Sequence, residues 1–235
     1  MSGERKQILQ QLRASLRAQG QQLRKMAEQT PGPNPTGPFV APQPDLTAQF
    51  RAQLTALKGQ AYLCPDHDAA LATMRELLIS HEAQQVLAWG LAVIPLAGLD
   101  QLLRELHLTL APPQILGTAD HAAALARLDP VPVGISGADA AVAESGTIIV
   151  VSGPAQGRLA SLLPPVHIAV LPHERIARSL PDAFALLRQR YGDTLFRDHS
   201  NITLITGPSR TADIGGEVVL GMHGPAEVHV IIIQG

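Results

Sequence analysis

From residue 45 onward, short and almost wholly apolar runs alternate with segments whose apolar residues recur at helical spacing. A strand with no polar face must be covered on both sides, so this alternation calls for a mostly parallel sheet with helices on each face. The expected fold is therefore α/β and three-layered, a mostly parallel sheet flanked by helices. A helix is predicted to open near Asp45, carrying Leu46, Phe50, Leu54 and Leu57, before an apolar run over 61–64. Asp66 can cap a second helix with Leu71, Met74, Leu77 and Leu78 on one face, and 85–89 reads as a buried strand. A helix over 99–106 follows, with weaker strand signals at 114–116 and 131–135 and a stronger one at 146–151. The pattern then continues as strand 166–171, helix 174–190, strand 202–206 and a last strand 228–233.

The 235 residues suit one domain over 45–235 preceded by an extension, 1–44. Hydrophobic residues make up 46% of the chain but aromatics only 3%, so the core must be built from Leu, Ile, Val and Ala in thin layers. Residues 4–28 carry Ile8, Leu12, Leu16, Leu23 and Met26 at near-helical spacing among six basic residues, which predicts an amphipathic basic helix. It packs on its own domain or a sister subunit, or docks a partner or membrane surface. The stretch 31–44 holds six prolines and reads as an extended linker or wrapping arm.

A net charge of −2, from 18 basic and 20 acidic residues, supplies no field for a phosphate polymer, so nucleic acid is not an expected partner. No apolar run reaches the roughly 20 residues needed to cross a bilayer, and the first residues lack the apolar centre of a signal peptide; the expected location is the cytoplasm. With Cys64 as its one cysteine the chain cannot hold an iron–sulfur centre alone, and Cys64 itself reads as a buried small hydrophobe. There is no GxGxxG, GxxxxGK, GxSxG, HExxH or paired CxxC, which removes the standard dinucleotide, phosphate-loop, serine-hydrolase and zinc-protease readings.

Three stretches remain as candidates for chemistry. The first, 134–165, brackets an apolar strand with glycines at 134, 137, 146, 153 and 157, which permit close backbone approach or positive φ. It offers the carboxylates of Asp139 and Glu144, the hydroxyls of Ser145 and Ser152, the backbone of Gly153, and the planar fork of Arg158, a set suited to the rim of an anion pocket. Each has a structural alternative: Asp139 capping a turn, Glu144 paired with Arg158, Ser152 and Gly153 ending a strand. The second stretch, 206–217, follows a predicted strand directly. Thr206, Gly207 and Ser209 form a turn whose amides can face anionic oxygens, Arg210 supplies a cation, and Asp213 is either a further hydrogen-bonding group or the partner of Arg210 in a structural ion pair. In the third, 221–233, His223 between small-residue turns is a candidate acid or base, whereas His229 inside a strand reads as a satisfied sheet residue. The two histidines lack a third ligand at a recognisable spacing, so no metal site is expected.

These stretches, GADAAVAESGTIIVVSGP with QGRLASLLPPVHIAV, then ITGPSRTADI, then LGMHGPAEVHVIII, occur in an order that resembles the signature of the LUD-domain family over roughly residues 45–235. The resemblance implies a fold similar to the NagB/RpiA/CoA transferase-like superfamily and a role in lactate utilisation. It implies a subunit that works beside partner proteins bearing the iron–sulfur clusters, together oxidising L-lactate to pyruvate, with no cofactor in this chain. Glu144, Arg158 and Arg210 are expected to converge on one cavity that binds a small carboxylate or other anion. The alternative is an independent enzyme on a phosphorylated sugar or CoA ester, with Glu144 as base or nucleophile and Arg158 or Arg210 as clamp. A homo-oligomer is a further possibility that the sister-subunit packing of the basic helix would serve.

Overall fold

The computed structural model describes residues 45–111, 121–212 and 218–235. The predicted basic helix, the proline arm, the strand at 114–116 and Asp213 lie outside the described residues.

Six strands form the central sheet: β1 (Gln60–Cys64), β2 (Gln85–Ala88), β3 (Thr109–Ala111), β4 (Val133–Gly137), β7 (Val166–Pro172) and β12 (Glu227–Ile233). They lie in the order β1-β12-β7-β4-β2-β3, and every neighbouring pair is parallel. Helices α1 (Leu46–Ala56), α2 (His67–Ser80), α3 (Leu99–Glu105) and α4 (His121–Leu128) connect or cover them. The expected α/β class with a mostly parallel sheet flanked by helices is what the chain adopts.

Local chemistry sets the helix starts. The Asp45 carboxylate accepts from the N–H groups of Thr47 and Ala48 at 2.9 and 3.0 Å, and Asp66 accepts from Ala69 at 2.8 Å, filling orphan donors of the first turns. Behind these caps Phe50 and Leu54 of α1 and Met74 and Leu78 of α2 are fully buried against the sheet. Cys64 is buried as expected, its sulfur 3.5 Å from the Thr73 hydroxyl.

Two features depart from the sequence reading. Strand β6 (Thr147–Ser152) does not join the parallel sheet. It pairs antiparallel with β5 (Ala140–Val142) and with β9 (Asn201–Ile205), and β8 (Ile176–Ala177) closes a second, four-stranded sheet. The run 148–151, IIVV, is apolar throughout because this sheet too is covered twice. Ile148 and Val150 face the main core, while Ile149 and Val151 face a second cluster built with Ala183 and Leu187. Double burial, not strand direction, erased the alternation. The other departure is the helix expected over 174–190, which begins only at Leu180 and forms α5 (Leu180–Tyr191). Ser179 caps it, with Asp182 N–H donating to the Ser179 Oγ at 3.4 Å, and Pro181 occupies the first turn, where its missing donor costs nothing. Residues His173–Arg175 form a 3-10 turn, and Ile176 pairs with Ala141. A two-stranded ribbon, β10 (Arg210–Ala212) and β11 (Val218–Leu220), completes the described chain.

The expected close backbone approaches occur. A Cβ on Gly134 would lie 1.8 Å from the carbonyl oxygen of Ala160, because the 3-10 turn Arg158–Ser161 rests directly on β4. Gly134→Ala is expected to force β4 and this turn apart and to cost about 1–3 kcal/mol, the usual range for overpacking. Urea unfolding should show a lower midpoint at unchanged slope; an unchanged midpoint would contradict the contact. Gly146 combines φ +62° with a Cβ position only 2.5 Å from the Leu54 nitrogen, so the β5–β6 turn seats against α1 only as glycine.

Candidate functional site

In the central sheet the chain leaves β2 in one direction toward β3 and leaves β4 in the opposite direction toward β7. The loops at the carboxyl ends of β2 and β4 therefore diverge, and this is where an open parallel sheet leaves a crevice. A pocket of about 750 Å³ opens at this end of the molecule. The loop after β2 (Leu91 to Gly98) forms one wall, and Pro172, Glu174, Arg175 and Ile233, from the ends of β7 and β12, form another. His67, at the start of α2, and Asp100, in α3, complete the polar lining.

Arg175 is the cation of this pocket. It is half-buried, and its Nη1 donates to the carbonyl of Ala138 at 3.0 Å, which holds the guanidinium against the end of β4. Burial pulls its pKa down, the neighbouring Arg190 pulls in the same direction, and Asp139 opposes both; an arginine nonetheless stays protonated in proteins. His67 Nδ1 accepts from the Ala97 N–H at 3.4 Å, which places the ring proton of the neutral form on Nε2.

Asp139 sits behind this wall. It is 3% exposed, its Oδ2 accepts from the Val151 N–H at 2.8 Å, and its Oδ1 accepts from the Tyr191 hydroxyl at 2.5 Å, with Arg190 Nη2 at 3.8 Å. Burial pushes the Asp139 carboxyl above the usual carboxylate range against the pull of these partners. Burial, and then the charge of Asp139, push the Tyr191 phenol up to about 12. The group is thus a fixed acceptor that orients two donors and balances the two arginines.

The other sequence candidates lie elsewhere. Glu144 is half-buried in the turn between β5 and β6, its backbone N–H bonded to the Arg178 carbonyl at 3.2 Å. Arg158 opens the 3-10 turn over β4 and is exposed, and Arg210 is exposed on β10. No hydrogen bond or ion pair joins Glu144, Arg158 and Arg210 to one another among the described residues. Ser152 is buried, its hydroxyl without a partner, and Gly153 bridges to Gln156.

The three sequence stretches do meet, through structural bonds. Thr147 Oγ1 lies 2.8 Å from the hydroxyls of both Ser145 and Thr206, Ser209 N–H donates to the Pro225 carbonyl at 2.8 Å, and Gly221 N–H donates to the Ser209 carbonyl at 3.0 Å. Gly207 takes φ +77° against Leu57. His223 is exposed in the bend that follows β11. Since β9 belongs to the antiparallel sheet, the rule that ligands sit beyond the carboxyl ends of parallel strands does not reach the turn Thr206 to Arg210. It reaches the His173–Arg175 turn after β7, which the expected helix over 174–190 concealed.

The sheet order, the layers and the pocket at the strands' carboxyl ends define an α/β protein of the open parallel-sheet class. The chain belongs to the LUD domain family, whose model matches residues 47–233, as the three ordered stretches led us to expect. It is 34% identical over 110 residues to a protein from Bacillus licheniformis named Lactate utilization protein C, covering 46% of this chain and 45% of that one. Proteins of the same name from Shouchella clausii and Bacillus subtilis are 38% and 37% identical, each over 102 residues and 43% of this chain. The matches span a little under half the length of these curated relatives. A solved DUF162 family protein from Deinococcus radiodurans shares the fold, with a TM-score of 0.57 at 20% identity over 80% of this chain and 96% of that one. No described helix is long and apolar enough to cross a membrane.

Proposed function

We propose that this chain acts in lactate utilisation as a subunit that binds a small carboxylate, beside partner proteins that carry iron–sulfur clusters and move the electrons from L-lactate. The observation that carries this reading is the half-buried guanidinium of Arg175 on the wall of the pocket at the carboxyl ends of the parallel strands. A planar guanidinium pairs with a carboxylate through two parallel hydrogen bonds, and its fixed seat on Ala138 means little freedom is lost when it does so. The names of the relatives supply the substrate class, and the single cysteine supplies the need for partners: one thiolate cannot ligate a cluster that takes four. Thr206, Ser209, Arg210 and His223 then serve as an outer polar surface, available to a partner or to a larger ligand, with the buried Gly207 shaping the turn between them.

A second reading keeps one specific support. A pocket of about 750 Å³ falls in the range that takes drug-sized ligands, more than a three-carbon acid fills. That favours a phosphorylated sugar or CoA ester. Titration calorimetry on the full chain with L-lactate, pyruvate, sugar phosphates and acyl-CoA esters separates the two. Saturable binding confined to lactate or pyruvate is expected; binding confined to the phosphorylated ligands would replace the first reading with the second.

A further inference from the structure

The opposite end of the central sheet carries a cluster that the pocket does not use. His229, 3% exposed, and Glu227 lie two residues apart in β12 and so project from the same face of the strand. His81, the C-cap residue of α2, reaches the same point, with its Nε2 3.7 Å from the Glu227 Oε2. One ligand atom from each of the three lies within 4.8 Å of the others.

Both ring nitrogens of His229 have polar neighbours. The Tyr62 hydroxyl donates to Gln60 Oε1 at 2.8 Å, and its oxygen lies 3.1 Å from His229 Nδ1, where it can accept from the ring N–H. In the tautomer with the ring proton on Nδ1, the lone pair of Nε2 points at the Glu227 carboxylate 3.1 Å away. A cation between the two, a proton or a metal ion, satisfies both electron pairs.

From this geometry we infer that His81, Glu227 and His229 bind one divalent first-row cation, zinc foremost, with water completing the coordination on the exposed side of Glu227. Two imidazole nitrogens and one carboxylate are a recurrent three-ligand set for zinc. At Zn–N and Zn–O lengths of about 2.0–2.1 Å, tetrahedral ligand atoms sit roughly 3.3 Å apart, close to the 3.1 and 3.7 Å found here. Tyr62 is the outer partner that orients a ligating histidine through its second nitrogen. The ion would tie the end of α2 to the first residues of β12, at the opposite end of that strand from the pocket, so the inference is independent of the carboxylate reading. It revises the expectation of no metal, because the third ligand comes from a helix end 146 residues before Glu227 in the chain.

The test uses the full, untagged chain, stripped with chelator and titrated with Zn²⁺ against a competing indicator, and with Co²⁺ followed by visible absorption. One Zn²⁺ per chain and cobalt bands of a four- or five-coordinate site are expected. Tyr62→Phe should weaken affinity roughly 10- to 100-fold, the usual effect of an outer partner. His81→Gln at a part-buried position and Glu227→Gln at an exposed one should each weaken it more than Tyr62→Phe does. Failure of the wild-type chain to bind, or unchanged binding in the double variant His81→Gln/Glu227→Gln, would overturn the inference.

Discussion

Replacing Arg175 with Gln is expected to weaken binding of a carboxylate ligand by about 1.5–3 kcal/mol, the range for hydrogen bonds to charged groups, or roughly 10- to 100-fold in Kd. The guanidinium is the cation on the pocket wall between the ends of β7 and β4, and glutamine keeps part of its length while removing the charge and the Nη1 donor to Ala138. Arg175→Lys should recover less than the full affinity, because an ammonium cannot form the paired hydrogen bonds. Arg210→Ala, exposed on β10, should leave this binding unchanged. Calorimetry on all three variants checks the assignment, with circular dichroism as the control for folding. Loss of binding in Arg210→Ala together with retention in Arg175→Gln would move the site to the Thr206 to Arg210 turn.

The second large effect concerns acid. His167 lies in the middle of the sheet, fully buried, with Nε2 2.8 Å from the Ser136 hydroxyl and Nδ1 without a partner. Burial, with a smaller contribution from His229, lowers its pKa from 6.5 to about 4. A base whose folded pKa is depressed is protonated first in the unfolded chain. Its contribution to stability is therefore complete above pH 6.5 and is lost as the pH falls toward 4. The loss amounts to roughly 3 kcal/mol across that window. Asp139, whose folded pKa is raised, works in the opposite sense and favours the fold as the pH falls, so the comparison must be made against a variant. Urea unfolding of wild type and His167→Gln between pH 7 and 4 isolates the histidine. The wild type should lose stability the more steeply of the two; parallel curves would show that His167 does not titrate as a buried neutral base.

Much of the fold was legible because burial leaves a periodic trace. The stripe of Met74, Leu77 and Leu78 behind the Asp66 cap marks α2 without ambiguity, and the strands around Val86, Ile168 and Ile231 read as doubly covered because they are. The same logic failed for β6: the run from Thr147 to Ser152 records burial on both faces and carries no information about whether its neighbours run parallel or antiparallel. The site was less legible. Asp139 stood out as a carboxylate among small residues and does sit behind the pocket wall. Arg175 did not stand out, because helix-like spacing from Glu174 onward absorbed it, and only the Ser179 cap and Pro181 mark where α5 begins. The cluster of His81, Glu227 and His229 was invisible for a different reason: its members meet only when α2 ends beside the start of β12, and no local spacing encodes that meeting.

Lactate-dependent oxygen consumption in a strain deleted for this gene and supplied with wild type or Arg175→Gln, at matched protein level, tests the central claim most directly. Restoration by wild type and failure of Arg175→Gln is the predicted result. Undiminished lactate respiration in the deleted strain, or full rescue by Arg175→Gln, would contradict it.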